Sequence, residues 1–267
     1  MPKSEMNDHN MHLLPEMNYL WQETLNWQPN EQQNQQFQKL YQLIIAGNKQ
    51  LNLTRITSPE EFLEKHLWDS LRGIKFILEE KVNLPQEKKV IDIGTGAGFP
   101  GLPVAITLPK YAVTLLDSTR KKISFIETIL TDLAIKNALP LTGRAEQIGR
   151  IFQHREIYDI ALARAVAPTA VCAEYALPML KNGGIAILYR GNLTTEEQAN
   201  LPEVVKLLGG KIESIEAFNT PLSESIRNCI YLRKVSTTPV NYPRSVGVPT
   251  QKPLNYQHKF NQKLLNT

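Results

Sequence analysis

The residues best placed to do chemistry stand close together. Asp92, Gly94, Gly96 and Gly98 recur at every second position, and Phe99-Pro100-Gly101 follows them. Glycines this dense open backbone conformations closed to other residues, so a ligand can lie against bare peptide. Gly96 to Gly101 also fits G-x-G-x-x-G, a weak pattern when it stands alone. The chemistry it suggests is the holding of a nucleotide-like molecule, with N–H groups and a helix N-terminus turned toward it. Asp117 ends the next apolar run, 23 residues beyond Gly94. A carboxylate at such a strand tip suits the two hydroxyls of a ribose.

The elements that must position these groups can be read on either side of them. Val90, Ile91 and Ile93 form a short apolar run of the kind found in buried parallel strands, and Leu102 to Leu108 has the apolar content of a helix. Ala112–Asp117 is a second strand, and Ser118-Thr119-Arg120-Lys121-Lys122 opens the helix after it. Leu139–Gly143 and Tyr158–Val166 are the third and fourth strands. A helix follows Pro168, and Gly183-Gly184 turns into a fifth strand, Ile185–Gly191. Lys211–Phe218 and Asn228–Val235 are spaced as a closing antiparallel hairpin. The expected fold is therefore α/β and Rossmann-like, a seven-stranded, mostly parallel sheet whose last strand is antiparallel. The closing pair leaves no room for the second domain that a nicotinamide dehydrogenase on the same sheet would need.

Four segments are expected along the chain: a disordered stretch over 1–14, a helical extension over 15–80, the sheet domain over 81–235 and a tail over 236–267. In the extension, Leu20, Trp21, Leu25 and Trp27 predict a short amphipathic helix. Phe37, Leu40, Tyr41 and Ile44 predict a second, with glutamines on its polar face. Ser58-Pro59-Glu60-Glu61 reads as a helix start with Ser58 as N-cap. His66 and Asp69 then lie three apart on one helix, where the ordinary expectation is a local pair.

Composition adds limits. The 267 residues are 42% hydrophobic and 21% charged, enough for a full core, and the net charge of +4 is a weak pointer to a polyanionic partner. Cys172 and Cys229 are too few for a disulfide framework and are expected in the core. With no apolar run long enough for a membrane span and no leader-like start, the chain is expected to be cytoplasmic, with no membrane partner. No metal site is indicated.

Several segments together resemble one family, the bacterial small-subunit ribosomal RNA methyltransferase G family (RsmG, also called GidB). They are Asn52-Leu53-Thr54, Lys65-His66-x-x-Asp69-Ser70, the loop Asp92 to Leu102 with F-P-G-L-P, and Leu115-Leu116-Asp117-Ser118. Arg144-Ala145-Glu146, Ala163-Arg164-Ala165 and the Tyr242-Pro243-Arg244 to Leu254 tail complete the set. The resemblance implies a class I methyltransferase using S-adenosyl-L-methionine, and N7 of a guanine in 16S ribosomal RNA as the acceptor. Naked RNA or the small ribosomal subunit would be the partner, and the enzyme would act as a monomer. An enzyme for another RNA, or a non-catalytic RNA-binding relative, is the alternative.

Residue by residue, the resemblance implies that Gly94 and Phe99 line the cofactor pocket, with Asp92, Gly96 and Gly98 in the same loop. Asp117, Ser118 and Thr119 would hold the ribose side, Ala145 and Glu146 the adenine side, and Arg164 the far edge. Arg164 would face either the methionine carboxylate or an RNA phosphate, since a guanidinium repels a sulfonium. RNA-binding candidates are His66, Arg120, Lys121, Arg190 and Arg244. Two positions depart from the family habit: Arg190 where lysine commonly precedes the glycine, and Lys65 where arginine is usual. The tail from Arg233 carries basic residues and no acid, suiting it to phosphates, or equally to solvent. No general base is implied, because guanine N7 attacks through a lone pair and loses no proton.

Overall fold

The computed structural model describes residues 13–79 and 88–255. The expected disorder of residues 1–14 and the boundary at residue 81 lie mostly outside that range. Leu14, inside it, donates its amide to Gln38 Oε1 at 2.7 Å, so the chain is already anchored there.

Seven strands form one sheet in the order β3-β2-β1-β4-β5-β7-β6. They are β1 (Lys89–Ile93), β2 (Ala112–Asp117), β3 (Ala138–Thr142), β4 (Tyr158–Arg164), β5 (Leu180–Arg190), β6 (Gly210–Asn219) and β7 (Ile226–Lys234). Only β7 runs against its neighbours, as the closing hairpin implied. One detail differs. Gly183-Gly184 lies inside β5 and not in a turn before it, because β5 begins opposite Tyr158 and bulges before pairing resumes at Ile160↔Ile185.

Alternation along each central strand builds two cores, one per face. Val90, Leu162, Ile187 and Tyr231 point to one side and Ile91, Ala161, Leu188 and Ile230 to the other. On the first side lie α1 (Asn18–Leu25), α2 (Glu31–Leu51), α6 (Gly101–Thr107) and α7 (Arg120–Asp132), so the helical extension caps this face. Helix α2 starts in a capping box between Asn30 and Gln33 and buries Phe37, Leu40, Tyr41 and Ile44. Its glutamines are not merely solvated. Gln33 donates to the carbonyls of Ile106 and Thr107, and Gln36 to Leu133 O, tying α2 to helix ends on the sheet domain. On the other side lie α8 (Ala145–Ile148), α9 (Thr169–Ala176), α10 (Thr195–Leu207), and the last segment with α11 (Val248–Gln251).

Between α2 and β1 the chain forms α3 (Pro59–Phe62), a π-helical turn (Leu63–Trp68), α4 (Asp69–Arg72) and α5 (Lys75–Glu79). Ser58 occupies the N-cap position but does not cap the helix amides; its hydroxyl bonds Glu61 instead. The π-turn is invisible in a helical pattern and shifts the phase of the residues within it. Anchors from the sheet hold this region. Tyr189 OH donates to Ser70 O and Tyr231 OH to Gly73 O, while buried Glu64 accepts from Leu222 N, Ser223 N and Ser223 Oγ. Among the described residues no helix is long and apolar enough to cross a membrane.

Candidate active site

Above the carboxyl ends of β1, β2 and β4 the sheet opens into a cleft of about 490 Å³. Its floor is the glycine loop. Gly94, Gly96 and Gly98 take φ of +71°, +61° and +99°, which only glycine holds without strain. The amides of Gly94 and Thr95 donate to Leu116 O, binding the loop to the end of β2.

Asp92 does not front this cleft. It is fully buried, on the α6 face of β1 by strand alternation, and Oδ2 accepts from Thr95 Oγ1 at 2.6 Å and Gly101 N at 2.7 Å. It is the latch that folds the loop back onto α6. Burial pushes its carboxyl up to about 6. Gly98 also leaves the cleft lining: a Cβ there would lie 2.2 Å from Leu102 Cδ1, so its smallness serves packing beneath the loop. Gly94, Gly96 and Phe99 do line the cleft.

Asp117 stands where the spacing put it, at the tip of β2. Its Oδ2 accepts from Gly96 N at 3.0 Å and Oδ1 from Thr119 N at 2.8 Å. Each oxygen keeps a further lone pair, so the carboxylate both orders the loop and presents acceptors to the cleft. Ser118 and Thr119 lie beside it.

Across the cleft, the turn after β3 presents Arg144, Ala145 and Glu146. Glu146 is almost wholly buried. Its Oε1 receives three donors: Arg144 Nη2 at 3.2 Å, Tyr175 OH at 3.2 Å and Gly247 N at 3.0 Å. Burial alone would raise its pKa, but hydrogen bonds from backbone amides, Gly247 first, and from Arg144 hold the carboxyl below the ordinary value. Its Oε2 is buried with no partner among the described residues.

At the end of β4, Arg164 draws three sequence motifs together. Its Nη1 donates to Lys65 O at 2.9 Å and Asp69 Oδ2 at 3.1 Å, and Nη2 lies 3.3 Å from His66 Nδ1. A guanidinium only donates, so Nδ1 must accept, and the imidazole proton sits on Nε2, which reaches Thr54 Oγ1 at 2.8 Å. Burial and the Arg164 charge hold His66 neutral, its pKa lowered to about 3. His66 and Asp69 are therefore not a local pair; both turn to Arg164. The His66 ring stacks on Phe99 at 4.4 Å and 13°, closing the wall. Three of the five Arg164 donors are used, and two remain for a ligand.

Two of the other expected RNA contacts are occupied within the fold. Arg190 donates to Ala167 O and to Glu197 Oε1 at 2.9 Å, joining β5 to the entrances of α9 and α10. Arg244 grips buried Glu174 through Nε and Nη2. The first basic residues of the tail, at the end of β7, are likewise engaged. Arg233 pairs with Glu213, and buried Lys234 bonds Leu177 O and Thr238. Arg120 and Lys121 do lie exposed, in the first turn of α7 next to the cleft. Leu53, Lys122, Arg144, Tyr175 and Thr250 line the cleft and were not among the expected site residues. Leu53 and Arg144 lay within motifs that carry the resemblance, Lys122 in the helix start after Asp117 and Thr250 inside the Tyr242 to Leu254 tail; nothing in the sequence marks Tyr175. Cys172 and Cys229 are buried as expected, and burial pushes their thiols up to about 11 and 12.

The donor set fits S-adenosylmethionine: acceptors at Asp117 and Glu146 for hydroxyl and amino groups, bare peptide between them, and a guanidinium at the other end for a carboxylate. Comparison with known proteins agrees with this fit. The family model GidB, rRNA small subunit methyltransferase G, matches residues 33–229. The ribosomal RNA small subunit methyltransferase G of Trichodesmium erythraeum is 80% identical over 93% of this chain and 98% of its own. That of Nostoc punctiforme is 64% identical over 91% of this chain and 99% of its own. Among solved structures, the AdoMet complex of M. jannaschii TYW2 superposes with TM-score 0.50 at 12% identity, covering 69% of this chain and 81% of that one. That likeness is one of fold: a class I methyltransferase sheet.

Proposed function

The chain belongs to the ribosomal RNA small subunit methyltransferase G family, and from that premise we propose that it methylates N7 of one guanine in 16S ribosomal RNA. The cofactor is S-adenosylmethionine, whose sulfonium supplies an electrophilic methyl group. The observation that carries the reading is the cleft, with Asp117 and Glu146 as anionic acceptors at one end and the Arg164 cluster at the other.

In this reading Asp117, with Ser118 and Thr119, takes the ribose hydroxyls. Ala145 and Glu146 take the adenine, and the glycine loop from Gly94 to Gly96 passes under the amino-acid part. Arg164 turns its two remaining donors to the methionine carboxylate, a contact a planar guanidinium makes with two oxygens. That choice is supported by the anchoring of Arg164 on Lys65 O and Asp69, which fixes the guanidinium inside the cleft and away from the outer surface.

The acceptor nitrogen needs no base, because its lone pair lies in the ring plane and carries no proton. The residues therefore work by placement and by excluding water. Phe99 and His66 form a stacked apolar wall, and neutral His66 neither repels the sulfonium nor removes a proton. Orientation of this kind can supply ~7–11 kcal/mol of barrier lowering in favourable cases. Exposed Arg120 and Lys121, with Lys122 at the rim, are placed to meet RNA phosphates. We further place the enzyme in the cytoplasm as a monomer, which sedimentation at 30.3 kDa would support.

The test is transfer of labelled methyl from S-adenosylmethionine to small subunits, or their RNA, from cells lacking this gene. One labelled guanine, cleavable by N7-specific chemistry, is the expected result. Cofactor binding with label on another base or another ring atom would overturn the assignment.

A further inference from the structure

The segment after β7 forms a strap whose hydrogen bonds converge on the nucleoside end of the cleft. Arg244 donates from its backbone N and Nε to Glu174 Oε1, at 2.8 and 2.9 Å, and from Nη2 to Oε2 at 2.7 Å. Glu174 is fully buried in α9, adjacent in sequence to Tyr175. The other arm of the same guanidinium, Nη1, donates to Lys252 O at 2.8 Å. One side chain thus ties residue 244 to residue 252 and both to the core. Between these ties, Gly247 N donates to Glu146 Oε1, and Thr250 forms part of the cleft wall. Arg150 and Arg155 hold the approach to the strap through Pro243 O and Tyr242 O.

The second observation is on Glu146 itself. Three donors fill Oε1, while buried Oε2 has no partner among the described residues. A buried carboxylate oxygen left bare beside a cleft is a place for a donor from the ligand. The ribose hydroxyls have Asp117 on the neighbouring strand, so the donor left for this end is an exocyclic amine. We propose that the strap over residues 242–252 is a working part of the nucleoside pocket, with Arg244 as its positioning residue. It fixes Glu146 Oε1 so that Oε2 reads the 6-amino group of the purine. This rests on the reading of the cleft as an S-adenosylmethionine site.

The test is calorimetric affinity of the full chain for S-adenosylhomocysteine and for S-inosylhomocysteine, which carries oxygen in place of the 6-amino group. Wild type is expected to prefer the adenosyl compound by roughly tenfold or more, because the inosyl compound leaves Oε2 unpaired. In Arg244→Gln the preference is expected to fall to within about threefold, and Arg244→Lys, which keeps the charge without the fork, to lie between. Equal preference in wild type and Arg244→Gln overturns the proposal while leaving the cofactor site standing. Failure of wild type to bind either compound overturns the cofactor reading as well. Should Arg244→Gln not fold, hydrogen exchange of wild type decides. The amides from Gly247 to Gln251 are expected to slow on adding S-adenosylhomocysteine, and unchanged exchange there refutes the strap's role.

Discussion

Glu146→Gln separates binding from folding because the geometry dictates which way the new amide must point. Three donors converge on Oε1, from Arg144, Tyr175 and Gly247. The amide oxygen must occupy that position, since an NH2 group there would face three donors. The NH2 group is therefore forced to the Oε2 site, where the proposed ligand offers a donor of its own. A charge-assisted hydrogen bond is lost and two donors are set against each other. Bonds to a charged group are worth about 1.5–3 kcal/mol, which at 1.4 kcal/mol per tenfold is a loss of affinity of roughly 10- to 150-fold.

Stability should move far less. The Arg144 side chain is 43% exposed, so water takes up its freed charge, and the amide oxygen keeps all three donors at the strength of neutral hydrogen bonds. In the free protein one unpartnered buried group, the NH2, then replaces another, Oε2. Titration calorimetry with S-adenosylhomocysteine and urea unfolding of the free protein measure the two quantities side by side. Since Glu146 lies at the nucleoside end, the KM for the cofactor should rise while kcat at saturation is largely kept. Affinity within twofold of wild type, with the unfolding midpoint unchanged, would refute the reasoning: Oε2 would then have no ligand.

Gly101→Ala should destabilise the protein by about 1–3 kcal/mol or more, because its Cβ would lie 2.2 Å from Leu115 Cδ2 and 2.7 Å from Asp92 Oδ2; an unchanged urea midpoint would contradict the packing under the loop. His66 has a folded pKa of about 3, below its unfolded value of 6.5. Its contribution is therefore full above pH 6.5 and is lost as pH falls toward 3, at ~1.4 kcal/mol per unit. Buried Asp92, raised to about 6, acts in the opposite sense between pH 6 and 3.8. His66→Gln should accordingly lose less stability than wild type between pH 6.5 and 4.5, and parallel stability curves would exclude a buried neutral imidazole. The double change Arg120→Glu, Lys121→Glu should weaken RNA binding and lower the slope of log affinity against log salt by about 2, while cofactor affinity stays put; an unaltered slope would remove the start of α7 from the RNA surface.

Strand tips and glycines were legible in the sequence because local rules decide them. Asp117 ends an apolar run, and a run of that kind in a parallel sheet exits at the ligand edge whatever packs around it. The alternate glycines announce a loop because glycine takes positive φ without a steric cost, as Gly94, Gly96 and Gly98 do here. Charge was a poorer guide. Arg164, Arg190 and Arg244 look alike on paper, each beside or after a strand in a chain of net charge +4. What separates them is distant: Glu197 on α10 claims Arg190, and Glu174 on α9 claims Arg244. Arg164 has Asp69 as partner too, yet the π-turn brings Lys65 O and His66 onto the same side of the guanidinium and leaves two donors over. Asp92 shows the converse. Its spacing before the glycines marks it as part of the site, but one step of strand alternation turns it under the loop, where Thr95 and Gly101 take its Oδ2. A polar side chain serves this cleft when the fold leaves part of its hydrogen-bonding capacity unfilled and facing inward. That remainder depends on partners about 100 residues away at Arg164, 101 at Glu146 and 70 at Arg244. No window along the chain contains it, and the coordinates of the neighbours decide it.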